Sequence, residues 1–252
     1  KIPIPFLNGH PDLQTQKQIV AILEKAEQLK EKRKQTIKLL DEYVKSTFNE
    51  MFVNKGFENS EISKGIIKID NILPAKEIAE EHFNYVDIAS IDNQSKKINE
   101  TKIILGKDAP SRARQLINYK DVLISTVRPN LNAVAITPKE LNNQICSTGF
   151  CVLRADNKIL LPEYLFFICQ TDSFIDNLVK KCKGANYPAV SNKDIIGSKI
   201  PIPPLPLQQT FASIVEKVEK IKEKQNKSLQ EIEQLFNALM QKAFNGELNN
   251  GK

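Results

Sequence analysis

The sequence has few of the residue types on which catalytic and metal sites commonly depend. It has two histidines, His10 and His82, and its four cysteines, Cys146, Cys151, Cys169 and Cys182, form no CxxC pair. Such sparse and scattered ligands favour reduced, mostly buried thiols over a disulfide framework or a zinc site. His82, in the stretch EEHFNY, has no candidate nucleophile beside it.

Motifs that bind nucleotides or transfer methyl groups are absent as well. The chain has no GxGxxG, no P-loop and no Asn/Asp-Pro-Pro-Tyr/Phe sequence, to which Asn186-Tyr187-Pro188 is only superficially similar. Pro11-Asp12 hints at a nuclease, but it precedes a predicted helix and no carboxylate-x-Lys strand follows it nearby. We therefore expect a non-catalytic chain that needs no cofactor and no metal.

Long apolar runs are missing too. None approaches the roughly 20 residues that a membrane helix needs, and the opening KIPIPFLNGH lacks the apolar core of a signal peptide. These absences predict a cytoplasmic protein. The formal net charge of +6 permits a nucleic-acid partner but does not require one.

The most informative feature that is present is an internal repeat. The letters KIPIP open the chain and return at Lys199, and a long stretch rich in Glu and Lys follows each copy. When the two stretches are aligned, Glu24 meets Glu216 and Lys30 meets Lys222.

Both stretches carry a coiled-coil seam, in which residues recur at alternating spacings of three and four. The first seam consists of Ile19, Ile22, Ala26, Leu29, Arg33, Thr36, Leu40, Tyr43 and Thr47. The second consists of Phe211, Ile214, Val218, Ile221, Gln225, Ser228, Ile232, Leu235 and Leu239. Each helix is expected to have about 36 residues and a length of about 55 Å at 1.5 Å per residue.

The order of the segments predicts that the two helices pair antiparallel. One helix enters the middle segment and the other leaves it, so a compact middle segment would place them side by side in opposite directions. In the best-matching register, the opposite pairs include Leu29 and Ile232, Arg33 and Ser228, and Thr36 and Gln225. We interpret the polar pairs as a layer that fixes the register; the alternative is that Arg33 only extends its charged end into water.

The middle segment has a different pattern. Short apolar runs predict strands at GIIKI, YVDIASI, TKIIL, DVLIST, AVAIT and FCVLRA, and one helix is predicted at LPEYLFFICQTDSFIDNLVKKC. About 150 residues are enough for an independent core. We predict an α+β fold: a mixed α/β domain over residues 56–205, between a first helical region at 1–55 and a second at 206–252.

Several blocks of the sequence resemble one known family. The stretches APSRARQLINYKDVLISTVRPNLNAVAI, STGFCVLRAD and PEYLFFICQTDSFIDNLVKKCKGANYPAVSNKDIIGSKIPIPPLPLQQ look like a target recognition domain of the specificity (S) subunit of type I restriction-modification systems. The long repeated helices resemble the conserved regions of that family. One departure is Leu207-Gln208-Gln209, where the family usually has a Glu–Gln pair.

The same resemblance explains why KIPIP occurs twice. In that family IPIPP closes each recognition domain just before its helix. The KIPIP at Lys1 therefore resembles the end of an earlier recognition domain, and the chain is expected to be a fragment or a shortened form of a longer protein.

The resemblance implies that the chain selects a DNA sequence and leaves the chemistry to other subunits. In the family, the S subunit recognises double-stranded DNA, while modification (M) and restriction (R) subunits supply S-adenosylmethionine chemistry and ATP-driven cleavage. Each recognition domain reads half of a split target, and the helices serve as a spacer and bind the M subunits. Self-association of the chain is a further expectation. The competing interpretation is a helical-hairpin adaptor whose head binds protein and no DNA.

Two basic stretches supply the candidate DNA contacts. From Lys96 to Arg128 there are eight Lys and Arg residues against three acids, and KKCKGANYPAVSNKD is the second stretch. The predicted DNA-binding residues are Lys107, Arg112, Arg114, Arg128, Asn130, Lys180, Lys181, Lys183, Asn186, Tyr187 and Ser191. Arginines suit guanine edges and lysines suit phosphates. The structural alternatives are ion pairs for Arg112 and Arg114, a packed turn at Tyr187, and a solvated helix end for the lysines.

Apolar residues outside the predicted seam are the candidate contacts for the M subunits, because two helices alone cannot cover them. The predicted partner-binding residues are Val20, Leu23, Val44, Phe48, Val215 and Phe236.

Overall fold

The chain forms two compact units in the computed structural model, which describes residues 6–7, 10–11, 13–184 and 188–244. The hairpin unit comprises the chain up to Thr47 and from Ile214 onward, and the head comprises Phe48–Ser213. The predicted α+β class is confirmed. The head extends beyond the predicted 56–205 at both ends, because it includes the adjoining ends of both long helices. The KIPIP at Lys1 lies outside the described residues.

The helices range from single turns to two very long segments. They are α1 (Leu13–Phe52), α2 (Pro74–Glu77), α3 (Pro162–Ile168), α4 (Asp172–Lys181), α5 (Asn192–Ile196) and α6 (Leu205–Phe244). The long helices α1 and α6 have 40 residues each, slightly more than the sequence predicted. Within the described ranges, none of the helices has the length and hydropathy required to cross a membrane.

The strands are short and, apart from the first two, belong to the head. They are β1 (Phe6–Leu7), β2 (His10–Pro11), β3 (Asn59–Glu61), β4 (Ile66–Ile67), β5 (His82–Val86), β6 (Ile91–Asp92), β7 (Lys97–Ile98), β8 (Lys102–Leu105), β9 (Ala113–Ile117), β10 (Val122–Ser125), β11 (Val134–Ile136), β12 (Gln144–Ser147), β13 (Phe150–Ala155) and β14 (Lys199–Pro201). Single 3-10 turns lie at Ile62–Gly65, Ile88–Ser90, Gly106–Asp108, Pro129–Leu131 and Lys139–Leu141.

Two four-stranded sheets form the centre of the head. One has the order β8-β5-β12-β9 and the other β11-β10-β13-β4. Strand β12 runs parallel to β5, and the other neighbours in these sheets are antiparallel. The core is made of side chains from both sheets, including Val86, Ile117, Leu123 and Phe150. Buried Gln115 joins the two sheets, since its amide donates to the carbonyls at both ends of the β12–β13 turn.

The sequence pattern located seven of the fourteen strands in the described part of the chain. Each of the six predicted apolar runs contains a strand, whereas β9 and β12 were missed because both carry polar residues among their apolar ones. The single helix predicted over residues 161–182 is wrong, because it consists of α3 and α4. The break follows from Thr171, whose hydroxyl accepts the Phe174 N–H and caps a new helix.

An aromatic cluster fixes the ends of both long helices in the head. Phe48 and Phe52 from α1 pack against Phe211 from α6 and against Tyr164 and Phe167 from α3, with ring centroids 4.9–5.8 Å apart. Such tilted and edge-on pairs add to the apolar area that these rings bury. The Tyr164 hydroxyl donates to the Pro201 carbonyl, so the one polar atom of the cluster is also satisfied.

Beside this aromatic cluster, the fully buried side chain of Gln208 holds the chain segments together by hydrogen bonds. Its carbonyl accepts the Leu161 N–H at 2.8 Å, and its amide donates to the carbonyls of Ile159 and Pro203 at 3.0 and 2.9 Å. The side chain thus connects the first turn of α6 with the segment between β13 and α3. This role explains why a glutamine stands in a site without solvent.

The hairpin unit is an antiparallel helix pair with several polar contacts. Arg33 donates to the Gln225 side chain at 2.8 Å, Lys222 contacts Asp41 at 2.6 Å, and Lys30 lies over the Phe236 ring. The partner positions rise in α6 as they fall in α1, which defines the antiparallel arrangement. Arg33 bonds to Gln225 rather than lying in a layer with Ser228, and Thr36 instead donates to the Lys32 carbonyl of its own helix.

The predicted seams are wrong at five of their eighteen residues. Ala26, Arg33, Leu40 and Val218 lie inside or partly inside the pair as predicted, but Ile22, Leu29, Tyr43, Ile221 and Leu235 are exposed. Their places are taken by the next residue along each helix, such as Lys30 in place of Leu29 and Lys222 in place of Ile221. At each of these two positions, the prediction placed the apolar residue in the seam. The structure instead buries the adjacent lysine, which has acidic neighbours.

Those lysines are stabilised by carboxylates at their own edge of the seam. Lys222 is only 5% exposed and contacts both Asp41 and Glu219, while Lys30 contacts Glu27. Burial lowers the pKa of Lys222, but the hydrogen bonds to Asp41 and Glu219 outweigh it, so the pKa is raised and the amine stays charged.

The helix pair consequently has one apolar and one charged face. Arg33 and Gln225 are equivalent positions of the repeat, and their contact marks a pseudo-twofold axis that exchanges the two helices. An axis that exchanges antiparallel helices is perpendicular to their common plane, so equivalent residues lie on the same face. The apolar face contains Ile22, Leu29, Tyr43, Ile221 and Leu235, and the ion pairs lie at the opposite edge.

Replacing Gln208 should destabilise the head strongly. In Gln208→Ala, the Leu161 N–H and the carbonyls of Ile159 and Pro203 lose a fully buried partner, and we expect a loss of about 3 kcal/mol in the free energy of unfolding. Urea denaturation followed by circular dichroism measures it. The matched control is Gln209→Ala, whose exposed side chain should change stability by less than about 0.5 kcal/mol. Equal effects of the two substitutions would contradict the role of Gln208.

The helix register can be tested by crosslinking. Cysteines at Arg33 and Gln225, in a chain with Cys182→Ser, should be joined within one molecule by a short bis-maleimide. The control pairs Arg33→Cys with Leu239→Cys, which lies about 21 Å further along α6 at 1.5 Å per residue. Mass spectrometry of the digested protein identifies the linked peptides. Efficient linking of the control pair would exclude the observed register.

Candidate nucleic-acid interface

Several loops of the head meet at one end of the two sheets. Three pairs of opposite residues on neighbouring strands mark this end. They are Val86 and Cys146, Ser147 and Ala113, and Ser125 and Phe150. The loops that leave it include residues 87–97, 109–112, 126–133 and 148–149. We call this surface the loop face. Because strands hold the base of each loop, the side chains at their tips are positioned by the sheets.

A tight turn at residues 128–132 lies at the centre of the loop face. Arg128 and Asn132 have φ values of 50° and 51°, in the left-handed region that non-glycine residues rarely adopt. Hydrogen bonds from Leu131 N–H to the Arg128 carbonyl and from Asn132 N–H to the Pro129 carbonyl close the turn. Conformations of this kind persist when the surroundings impose them, and they are frequent at functional sites.

The second basic stretch joins this turn although it is distant in the sequence. The Arg128 N–H donates to the Pro188 carbonyl at 2.8 Å, and the Val190 N–H donates to the Thr126 carbonyl at 2.9 Å. Lys183 is paired with Ala189 in the same segment. The two stretches that the sequence marked as basic are therefore brought together on one surface.

The β6–β7 hairpin contributes a further basic residue to the turn. Its tip is closed by Asp92, whose carboxylate accepts the N–H groups of Gln94 and Ser95. The Lys96 amine donates to the Asn132 carbonyl, and the Asn132 amide donates to the Gln170 carbonyl. Sequence reasoning did not select Lys96 as a site residue, and only its inclusion in the basic stretch pointed to it.

The loop face is rich in cations, and two of its acids, Asp87 and Asp92, are engaged in local contacts. The basic residues are Lys96, Lys97, Lys102, Arg112, Arg114, Arg128 and Lys183. Asp87 caps the 3-10 turn at residues 88–90 and pairs with Lys102 at 3.0 Å, which raises the pKa of that lysine. The N–H groups of Ser95 and Gln94 lower the pKa of Asp92. Such a surface suits contact with phosphates.

The structure separates the predicted DNA-binding residues into two groups. Arg112, Arg114, Arg128, Asn130 and Lys183 lie on the loop face, and Lys180 precedes it at the exposed end of α4. Arg114 is partly engaged, since its guanidinium donates to the Ser111 carbonyl.

The remaining predicted residues have structural roles or lie elsewhere. Lys107 lies at the opposite end of β5 and pairs with Glu80 at 3.9 Å, so placing it with the others was wrong. Lys181 donates to Asp194 and Ser198, and Ser191 caps α5. Asn186 and Tyr187 lie outside the described residues.

The predicted partner-binding residues also change position. Val44 and Phe48 are 4% and 2% exposed and pack inside the chain, so the prediction that they lie on an outer surface is wrong. Leu23, Val215 and Phe236 are half-buried in the chain's own packing, and Phe236 lies under Lys30. Val20 is exposed, on the edge opposite the apolar face. These positions differ from the prediction because the two helices pack through other residues than those of the predicted seam.

The cysteines and acids offer no metal site in the described part of the chain. No group of three or more His, Cys, Asp or Glu side chains is placed to hold an ion there. Cys146, Cys151 and Cys169 are buried and unpaired, and burial raises the pKa of Cys151 to about 12. These thiols are packing residues of the head.

The described geometry agrees with comparisons to known proteins. The family model "Type I restriction modification DNA specificity domain" matches residues 54–234, and the chain belongs to this family. The type I restriction enzyme HindI specificity subunit of Haemophilus influenzae is 25% identical over 163 residues, which are 64% of this chain and 36% of that protein.

Solved structures show the same fold. The HsdS subunit from Thermoanaerobacter tengcongensis has 37% identity and a TM-score of 0.58 over 68% of this chain and 44% of that one. A chain from a study of complex assembly and conformational transition of the type I R-M system has 35% identity and a TM-score of 0.59 over 79% and 51%. The S subunit from M. genitalium, at 15% identity, shares the fold with a TM-score of 0.55. The chain spans 36% of the length of the HindI subunit and 44% and 51% of the first two solved structures.

Proposed function

We propose that the chain is a DNA-recognition subunit of a type I restriction-modification complex. The observation that carries the proposal is the loop face, where two basic stretches distant in sequence meet around the 128–132 turn. Membership in a family described by DNA specificity supports it. The adaptor interpretation would leave this concentration of cations without a role.

The head is proposed to read one part of a split target and to catalyse nothing itself. Arg112 and Arg128 have the donor geometry that suits guanine O6 and N7, while Lys183 and its neighbours suit phosphates. Modification and restriction subunits would supply methyl transfer and cleavage. With a single head, few phosphates are contacted, so the affinity and its salt dependence are expected to be modest.

Substitutions on the loop face should separate base reading from phosphate contact. Arg112→Ala or Arg128→Ala should cost about 1–3 kcal/mol and relax the preference at one base pair. Lys183→Ala should weaken all sequences alike and reduce the salt slope by about one. The measurement is fluorescence anisotropy with duplexes selected from a randomised pool, at several salt concentrations.

A charge at the other end of the head provides the control. Lys158→Ala removes an exposed lysine near the end of β13 and should leave affinity and preference unchanged. If Lys158→Ala weakened binding as much as Lys183→Ala, the DNA surface would lie elsewhere. If the chain bound no duplex at low salt, alone or with modification subunits, the recognition proposal would fail.

The apolar face of the hairpin unit is proposed to bind the modification subunits. It exposes Leu29, Tyr43, Ile221 and Leu235 at 41–58% of their surfaces, although apolar residues of this size are usually covered. One of the matching structures comes from work on assembly of the type I R-M system. This face replaces Val44 and Phe48 as the proposed contact, since those residues are buried.

Charges on the apolar face should prevent assembly. Leu29→Glu or Ile221→Glu should abolish co-purification with the modification subunits, because a carboxylate would be buried without a partner. Val20→Glu is the control, since Val20 is equally exposed on the opposite edge. Circular dichroism verifies that all three variants fold. Assembly that is lost with Val20→Glu but kept with Leu29→Glu would assign the contact to the other edge.

A further inference from the structure

The loop face contains an open depression that the proposed charge contacts do not use. We call it the crater; its volume is about 560 Å³. Ile91, Ser125 and Ala133 form its buried floor, and Ile88 and Val127 form its walls. Arg128, Leu131 and Asn93 lie at its exposed rim. Its residues come from both the 87–97 loop and the 126–133 loop.

The side chains of the floor and walls of the crater are apolar, apart from Ser125. The one polar side chain of the floor, Ser125, donates to the Val127 carbonyl at 2.9 Å and accepts the Val127 N–H at 3.2 Å. Its hydroxyl is therefore occupied within the fold. An apolar group that enters the crater can contact these apolar side chains and gains burial of its surface.

Only one apolar group is displayed by unmodified base pairs in the major groove. Guanine, adenine and cytosine present donors and acceptors there, whereas thymine adds its C5 methyl group. Apolar side chains are the usual partners of this methyl. A crater with apolar side chains beside an arginine, on a surface proposed to face DNA, therefore suits a thymine next to the base pair that Arg128 contacts.

The rim is held in a fixed shape before any ligand arrives. Leu131 is 47% exposed, yet its backbone is bonded to Arg128 and lies between two left-handed residues. The Arg128 N–H is bonded to Pro188, and the Asn132 carbonyl accepts from Lys96. Because the turn is already ordered, an exposed leucine on it can contact a ligand without the loss of entropy that ordering a flexible loop would bring.

We propose that the crater recognises a thymine of the target through its C5 methyl group, with Leu131 as the specificity-determining contact. This inference rests on the proposed DNA-recognition function and adds the base class that the crater reads. Asn93, on the same rim, carries an amide of the kind that pairs with adenine in the major groove.

The test compares thymine with deoxyuridine, which lacks only the methyl group. Duplexes preferred by the chain, with its modification subunits, are selected from a randomised pool, and each thymine of the preferred site is replaced singly by deoxyuridine. Loss of one buried methyl should reduce the wild-type affinity about fourfold at one position. Leu131→Ala should remove this difference and keep the other preferences, and Leu131→Met should restore it.

The matched control is Ile159→Ala, an exposed apolar residue at the other end of the head; it should discriminate thymine from deoxyuridine as the wild type does. A preferred site without an A·T pair, no effect of any deoxyuridine, or unchanged discrimination in Leu131→Ala would overturn the inference and leave DNA recognition standing. Absence of any sequence preference would instead remove the proposed function, and the inference with it.

Discussion

The packing of five aromatic rings is the constraint on which the architecture of the head depends. Phe48 and Phe52, Tyr164 and Phe167, and Phe211 come from three segments that are far apart in the sequence. Closing such long loops is entropically costly, so the contact that closes them must bury much apolar surface. Gln208 adds hydrogen bonds that only one arrangement of these segments satisfies. Both long helices therefore end inside the same core.

The hairpin unit solves a different problem, which is to pair two helices of similar sequence. The equivalent residues Arg33 and Gln225 contact each other, so the symmetry axis passes through a polar contact. Such a contact fixes the register, whereas a purely apolar seam would allow the two helices to shift along each other. Charged seam residues such as Lys222 then need acids, which occupy one edge of the pair. Apolar residues excluded from the seam are left on the other edge. The exposed apolar face is thus a consequence of the polar register.

How much the sequence predicted depended on whether the signal was local. Half of the strands, both long helices and their antiparallel pairing followed from periodicity and chain order. Thirteen of the eighteen predicted seam residues are buried or partly buried. The prediction failed at Leu29 and Ile221, beside the half-buried Lys30 and the buried Lys222, because a periodicity rule does not count the acidic partners that stabilise a buried lysine. The crater was not predictable, since its lining residues come from segments 88–93 and 125–133, which no local pattern connects.

The loop face separates the residues that hold the fold from those available to a ligand. Gln115 and Ser125 are buried and bonded within the head, and Asp121 forms a buried bidentate pair with Arg154 at the other end. Asn93, Arg128 and Leu131, in contrast, are exposed at the rim while their backbone is fixed by hydrogen bonds or by the neighbouring strands. Exposed substitutions usually change stability by less than about 0.5 kcal/mol. Side chains at these three positions could therefore be exchanged, and with them the base pair that is read, while the core that positions them stays unchanged.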